Sequence, residues 1–207
     1  MFSVLKGNGR PLLSFKKGDI IHVWNRMEKN YSYELSENPF TNFADGFEPY
    51  LSPGDILALG AFGGKYLNDC LLEFPAEWFW RAGLLGKLCP GEQDINVNHF
   101  KIDSRLSLSE WRKAGWIPSK GVPSTVGKGK RAVLSSEKTN PDERGWFQWY
   151  CRYWLGRRIP DLDAVQIQRW KNFRRHYGAV QKACEGDIEC RPRQRQALLH
   201  WAWAFND

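Results

Sequence analysis

The sequence predicts a mainly α-helical (α+β) fold with a small β-hairpin near the N-terminus. Two observations predict this fold class: two short strand-like segments lie near residues 20 and 33, and helix start and stop signals flank the apolar segments that follow. The 207 residues are 42% hydrophobic and include 11 Trp, which is enough apolar side chain to bury a core without metal or disulfide links. We therefore expect residues 1–207 to form a single domain.

The first predicted elements are the two strands. Asp19–Trp24 is apolar and β-branched, Tyr31–Leu35 alternates between apolar and polar residues, and the polar segment 25–30 between them suits a hairpin turn. Residues 36–47 contain Pro, Asn, Asp and Gly, which predict a loop. That loop carries three aromatic residues that suit the lining of a pocket, namely Phe40, Phe43 and Phe47.

The first helix is predicted to run from Pro53 to Leu59. Ser52 suits the N-cap, proline suits the first helical position, and Asp55 places a carboxylate near the free backbone amides. Gly60 follows the last apolar residue and is expected to end the helix, because glycine readily adopts the left-handed conformation found there.

The segment after this helix contains the residues with the most chemical character. Gly63 and Gly64 permit a tight turn, and a second helix after them would place Lys65, Asp69 and Glu73 along one edge. One interpretation is a catalytic site with two carboxylates and an amine. The other is an ordinary ion pair of Lys65 with Asp69 at a corner between two helices. Spacing alone leaves both interpretations open.

The middle of the chain predicts a short helix followed by a basic loop. Ser107–Gly115 has a Ser N-cap, a Glu at the capping-box position and a terminal Gly, and Trp111 and Trp116 are expected to anchor it to the core. Residues 118–140 are rich in Gly, Ser, Pro and Lys, which predicts a basic surface loop. Its cations suit contacts with a phosphate backbone, although a solvated loop is the simpler interpretation.

An aromatic and basic segment, residues 144–158, organises the second half of the chain. A helix beginning near Gly145 would place Phe147, Tyr150, Tyr153 and Trp154 on one wide apolar face. The first interpretation of that face is a core helix. The second is that the edges of the helix contact phosphates and stack on bases, through residues that lie outside the apolar face: Arg144, Trp146, Trp149, Arg152, Arg157 and Arg158.

Two further helices are predicted to begin at Pro160 and at Pro192. The first has a cationic side formed by Arg169, Lys171, Arg174, Arg175 and His176, and the second carries Arg193, Gln194 and Arg195 in its first turns, after Arg191. Positive charge is unfavourable at a helix N-terminus, so these arginines indicate an anionic partner or a nearby acidic surface. Residues 144–205 are therefore treated as a basic aromatic helical subregion.

The charge of the chain is concentrated in this subregion. The formal net charge is +7, and the residues from Arg144 to the end contribute twelve Lys or Arg against six Asp or Glu, 12 − 6 = +6. Such a local excess favours nucleic acid as the partner. No run of 18 apolar residues predicts a membrane span, and the N-terminal residues lack a signal-peptide pattern, so we expect a cytoplasmic protein without membrane association.

Five cysteines, an odd number, favour free thiols over a disulfide framework. Cys184 and Cys190 suit a local disulfide under oxidising conditions. A zinc site that recruits His176 and Cys151 is less favoured, because the spacing does not match compact zinc motifs. We predict no metal and no cofactor.

Three sequence blocks resemble a known group of proteins. They are Leu59–Tyr66 with Asp69 and Cys70, Arg144–Tyr153, and Cys190–Leu199. Together they resemble a family of small uncharacterised proteins of bacteria and eukaryotic microbes, over the range from Tyr50 to Trp203, with residues 121–140 as an insertion. Because no activity is established for that family, the resemblance implies homology and no function.

The charge and the aromatic content favour a DNA-binding enzyme that acts on a flipped base, and specifically a DNA glycosylase in DNA repair or phage defence. Asp69 would orient water or stabilise the sugar cation, Glu73 would be a second carboxylate, and Lys65 would be a nucleophile or a phosphate clamp. The expected nucleic-acid contacts are Arg144, Arg152, Arg157, Arg158, Arg169, Lys171, Arg174, Arg175, Arg191, Arg193, Arg195 and Gln194. The expected base-stacking or pocket residues are Phe62, Tyr66, Trp146 and Trp149.

Two other functions remain open at this point. A DNA- or RNA-binding regulator or adaptor without chemistry would need only the C-terminal third of the chain. A nuclease would use Asp69 and Glu73 to hold Mg²⁺. We infer no obligate protein partner.

Overall fold

The computed structural model describes residues 9–104 and 140–205. Within these ranges the chain forms a hairpin and five α-helices, which confirms the predicted fold class. The predicted helix at 107–115 and the predicted loop up to residue 139 lie outside the described residues. The elements are β1 (Ile20–Val23), β2 (Tyr31–Glu34), α1 (Pro53–Ala58), α2 (Ala76–Leu84), α3 (Trp146–Leu155), α4 (Pro160–Cys184) and α5 (Pro192–Leu199), with 3-10 turns at Leu12–Ser14 and Ile95–Val97.

The hairpin buries one of its two faces. The strands pair antiparallel, with Ile21 opposite Tyr33 and Val23 opposite Tyr31. Ile21, Val23 and Tyr33 are buried, while Ile20 and His22 point to solvent. Alternation of side chains along a strand produces this division, so the predicted strands are confirmed.

Helix α1 begins and ends where the sequence predicts. The Ser52 hydroxyl accepts a hydrogen bond from the Asp55 amide, and the Asp55 carboxylate accepts one from the Ser52 amide, which completes a capping box. Gly60 has a φ of 67°, and a Cβ there would lie 2.1 Å from the Val97 carbonyl oxygen. A residue with a side chain would therefore be excluded at the end of this helix by both φ and space.

Helix α3 is buried on every side, which the amphipathic pattern did not predict. All ten residues from Trp146 to Leu155 are buried. The loop at 36–47 covers one side, because the Phe47 ring contacts Trp149, Tyr150 and Tyr153. Tyr31 and Tyr33 of the hairpin cover another side, next to the Arg152 guanidinium. The prediction that α3 has an exposed edge is therefore wrong.

The loop at 36–47 is itself part of the core at its second half. Phe47 is buried and Phe43 is half-buried, so neither lines an open pocket as predicted. Phe47 also meets Trp170 of α4, with 5.0 Å between ring centroids. Phe40, by contrast, is 68% exposed.

Helices α4 and α5 contact each other, and a disulfide closes the loop that connects them. α4 packs on the core through Leu162, Ile167 and Trp170 near its start and through Val180 and Cys184 near its end. Residues 171–179 between them are exposed or half-buried. Cys184 and Cys190 form a disulfide with a Cα–Cα distance of 5.6 Å, so the expectation of free thiols is wrong for this pair, whereas Cys70, Cys89 and Cys151 are free.

Candidate functional site

A buried ionic cluster surrounds Arg152 in the middle of α3. Its guanidinium donates to Glu73 at 2.6 Å, to Glu28 at 2.8 Å and to Asp142 at 3.0 Å. The Arg152 side chain has no exposed surface, and the three carboxylates are 6% exposed or less. Burial alone would lower the pKa of Arg152, but Glu73, Asp142 and Glu28 outweigh it and raise that pKa well above its ordinary value.

Arg157 completes this cluster just beyond the end of α3. It donates to both carboxylate oxygens of Asp142, at 2.9 and 2.6 Å, and to the Tyr31 hydroxyl at 3.3 Å. The guanidinium of Arg157 lies 5.6 Å from the centroid of Tyr33, a cation–π distance. A bidentate pair with a carboxylate is the strongest arrangement for a buried arginine, so Arg157 holds Asp142 in place.

The cluster contains one more carboxylate than guanidinium groups, because three acids face Arg152 and Arg157 (2 − 3 = −1). Burial raises the pKa of Glu73, against the opposing effect of Arg152. The Tyr33 hydroxyl donates to Glu73 at 3.2 Å, and burial raises the pKa of Tyr33 so that it stays a neutral donor. Glu73 is therefore surrounded by protein donors and has no access for a substrate.

Asp69 lies at the edge of the cluster and is held by a different arginine. Arg144 donates to both of its oxygens at 2.8 Å, and the Arg26 amide donates at 2.9 Å. Burial opposes ionisation of Asp69, but these hydrogen bonds outweigh it and lower its pKa. Its side chain is 24% exposed, so this carboxylate, whose lowered pKa favours the ionised form, reaches the surface here.

The predicted row of Lys65, Asp69 and Glu73 does not form. The described backbone from 61 to 75 consists of turns rather than the predicted helix, so the three side chains do not share a helical edge. The Lys65 ammonium pairs with Glu92 at 2.8 Å. The helix prediction fails because Gly63 and Gly64 both adopt positive φ and Leu67 does so as well, which no α-helix accommodates.

Residues 87–98 of the same chain pack directly against Gly63 and Gly64. A Cβ on Gly63 would lie 2.2 Å from the Gln93 side chain, and one on Gly64 would lie 2.8 Å from Cys89. The Gly63 amide donates to the Asn98 side chain at 2.6 Å. The two glycines therefore seat residues 87–98 against the core.

A magnesium site at Asp69 and Glu73 is not supported. The oxygens of Asp69 accept from Arg144, and those of Glu73 accept from Arg152 and Tyr33. Among the described residues no group of three or more His, Cys, Asp or Glu side chains is arranged to hold a metal ion. The nuclease hypothesis thus loses the ligands it named.

The four predicted base-stacking rings are part of the interior. Trp146 and Trp149 are buried, and their indole N–H groups donate to the Gln166 carbonyl and to Asp163. Phe62 is buried between Tyr66 and His200, with ring centroids 4.6 Å away on both sides. Tyr66 is half-buried and donates its hydroxyl hydrogen to the Arg144 carbonyl. None of them presents a free face to a base.

The predicted nucleic-acid contacts divide into three groups by burial. Arg144, Arg152 and Arg157 are neutralised inside the protein by the acids described above, and Arg195 is buried and donates to the carbonyls of Asp187 and Cys190. Arg158 and Arg169 are half-buried. The predicted contacts that are exposed are Lys171, Arg174, Arg175, Arg191, Arg193 and Gln194.

Sequence reasoning missed the acidic side of the cluster and one surface cation. Glu28 lies in the hairpin turn and Asp142 precedes α3, and both read as ordinary polar loop residues. Glu28 pairs with Arg152 across 124 positions, and Asp142 pairs with Arg152 and Arg157, 10 and 15 residues further along the chain. Lys182 is exposed on α4 and follows Arg175 by seven residues, a helical spacing that could have assigned it to the same face.

Within the described ranges, no helix combines the length and the apolar character needed to cross a membrane. No family model, curated protein or solved structure matches this chain.

Proposed function

We propose that this protein binds DNA through the outer face of α4. The observation that carries the proposal is a row of four exposed cations, Lys171, Arg174, Arg175 and Lys182. At about 100° per residue they fall within an arc of about 100°, and Lys171 and Lys182 are about 16 Å apart along the axis. No Asp or Glu occurs between residues 164 and 184.

The electrostatics of this row differ from those of the internal arginines. Neither Arg174 nor Lys182 is in an ion pair with another described residue. Lys171 and Arg175 are four residues apart on one helix face, where like charges repel by a few tenths of a kcal/mol. A phosphate backbone removes that repulsion and releases its own counterions on binding. DNA would therefore supply the negative charge that the described residues do not place beside these cations.

The positive surface continues towards α5. Arg191 donates to the Ala179 carbonyl at 3.4 Å, which brings this exposed arginine beside α4. Arg193 is also exposed and donates to the Asp103 carbonyl at 3.1 Å. The connecting loop carries Glu185, Asp187 and Glu189, so the acid-free surface is limited to α4 itself.

The test is the salt dependence of DNA binding. Wild-type protein should bind a fluorescein-labelled duplex with a log–log slope of about −0.9 per phosphate contacted. The double variant Arg175→Gln/Lys182→Gln should bind DNA more weakly. Its slope should be less steep by about 1.8, which corresponds to two lost phosphate contacts. Fluorescence anisotropy between low and moderate salt measures both quantities.

Lys16→Gln is the matched control, because Lys16 is also exposed but lies before the hairpin. It removes the same kind of charge and should leave the slope unchanged. A flat salt dependence of the wild type, or equal effects of Lys16→Gln and the α4 substitutions, would contradict the proposal.

One observation favours base excision as a second candidate function. Asp69 is a partly exposed carboxylate with a lowered pKa, and a sugar cation would have to share it with Arg144, which donates to both of its oxygens. Lys65 and Glu73 have no role in this version, since Lys65 pairs with Glu92 and Glu73 is buried. Incubation with unmodified, uracil-containing and hypermodified phage DNA should then yield alkali-labile abasic sites, and Asp69→Asn should abolish them. Absence of product on all three, or full activity of Asp69→Asn, rules this candidate out.

A further inference from the structure

Phe40 is an exposed aromatic side chain that the proposed function leaves unused. It is 68% exposed, in a protein that buries most of its other rings. One face of the ring stacks on Trp154, with 5.6 Å between centroids and 29° between planes, and one edge meets Phe43 at 5.6 Å and 81°. The second face of Phe40 is therefore open to solvent.

The backbone holds this ring in a fixed position. Phe40 has a φ of 60°, which a residue with a bulky side chain rarely adopts. Its amide donates to the Trp154 carbonyl at 2.8 Å, and the Thr41 hydroxyl donates to the Asn38 carbonyl at 2.7 Å. Unusual backbone conformations of this kind occur preferentially at functional sites.

Cations border the loop that carries Phe40. Arg158 donates to the Thr41 carbonyl at 2.8 Å, one residue from Phe40, and its other contacts are the carbonyls of Asn42, Tyr153 and Arg157, so it holds the loop in place. Lys171, the first cation of the α4 row, donates to the Asp45 carbonyl at 2.9 Å in the same loop. Glu37 in this loop faces Lys17 at 3.8 Å and accepts from Asn42, so the acids that oppose a polyanion are the exposed Asp45 and Glu48.

We infer that Phe40 stacks on an unpaired base of a nucleic-acid strand whose phosphates pass Lys171 and follow the basic face of α4. A ring with one open face cannot stack on a base inside a duplex, where both faces of each base are covered. It can stack on a base in a single strand, or on one displaced from a duplex. The inference rests on the proposed function and adds the substrate class to it.

The experiment compares two labelled probes of equal length, a 12-nucleotide oligothymidylate and a 12-base-pair duplex, by fluorescence anisotropy. Phe40→Gly removes the ring and suits the positive φ, so it should fold. It should weaken binding of the single strand about tenfold, as expected for one stacked base, and leave duplex binding unchanged. Phe40→Tyr should retain wild-type affinity for both probes.

Trp24→Ala serves as the control, because Trp24 is an exposed aromatic of similar exposure, 62%, on the hairpin. It should change neither affinity. Unchanged binding of the single strand by Phe40→Gly, or equal weakening of both probes, overturns the inference while leaving binding through α4 intact. If Arg175→Gln with Lys182→Gln weakens binding of both probes, the proposed function is supported whatever the result for Phe40→Gly. Failure of the wild type to bind either probe overturns both.

Discussion

Arg152 has a different role in the fold from the one that its sequence neighbours predict. In the sequence it is one of a series of arginines between aromatic residues, a pattern typical of nucleic-acid binding. In the fold it is fully buried among Glu28, Glu73 and Asp142. Those three acids belong to the hairpin turn, to the segment before α2 and to the segment before α3, so a single guanidinium joins three parts of the chain.

Removal of this guanidinium should be severely destabilising. Arg152→Met leaves Glu28 and Glu73 buried without a cation and leaves Asp142 paired with Arg157 alone, so we expect the free energy of unfolding to fall by about 3–5 kcal/mol. Urea denaturation at neutral pH measures the change. Arg175→Met, at an exposed position of α4, is the matched control and should stay within about 0.5 kcal/mol of wild type. Equal stability of Arg152→Met and wild type would show that the cluster contributes nothing to the fold.

Asp69 should make the stability of the protein dependent on pH. Its pKa is lower in the folded protein than in the unfolded chain, so its contribution is present above about pH 4 and is lost as the pH falls through the folded pKa. Asp69→Asn should therefore cost about 1.5 kcal/mol at pH 7 and progressively less towards pH 2. Urea titrations at several pH values measure the difference. A difference that is constant over this range would refute the role of the Asp69 charge.

At the scale of elements, local signals set where helices begin and end, while packing sets which of their faces are covered. Helix α1 has its cap, its proline and its terminal glycine where the sequence predicts them. Helix α3 also begins after Gly145 as predicted, yet it has no exposed face. The predicted helix after Gly64 is absent, because the two glycines and Leu67 take left-handed conformations that seat residues 87–98.

Two glycine-to-alanine substitutions should change the stability of the protein in opposite directions. Gly178 lies in the exposed middle of α4, and a Cβ there would meet no atom within 4 Å. Gly178→Ala should therefore stabilise the protein by about 0.5–1 kcal/mol. Gly156 ends α3 with a φ of 117°, and a Cβ there would lie 2.0 Å from the Glu37 carbonyl oxygen. Gly156→Ala should destabilise it by more than about 1 kcal/mol. Thermal unfolding of the two variants beside wild type checks both signs, and a shift in the same direction for both would contradict the assignment.

At the scale of the whole molecule, the two halves of the described chain share one core. Phe47 precedes α1 and contacts Tyr153 of α3 and Trp170 of α4. Arg152 takes two of its acids, Glu28 and Glu73, from the N-terminal half. The C-terminal third is thus bound to the rest of the protein by charges as well as by apolar contacts.

A fragment of residues 140–207 should consequently fail to fold alone. It would expose Trp149 and Tyr153 and would leave the charge of Arg152 opposite Asp142 only, without Glu28 and Glu73. We expect weak helical circular dichroism and no cooperative thermal transition, in contrast to the full chain. A fragment that unfolds cooperatively would instead support the idea that the C-terminal third suffices for a binding module.

The sequence by itself determined the fold class, the hairpin, the starts of α1, α3, α4 and α5, the glycine that ends α1, and the concentration of cations on α4 apart from Lys182, because these depend on periodicity, caps and charge within a few residues. Only the tertiary structure decided which arginines face solvent. Arg152 reaches Glu73 across 79 positions and Glu28 across 124, and no local pattern encodes such pairs. An arginine can be hydrated at the surface or ion-paired in the interior, and its sequence neighbours are similar in both cases. What decides between the two environments is whether the fold brings a carboxylate from a distant part of the chain next to the guanidinium.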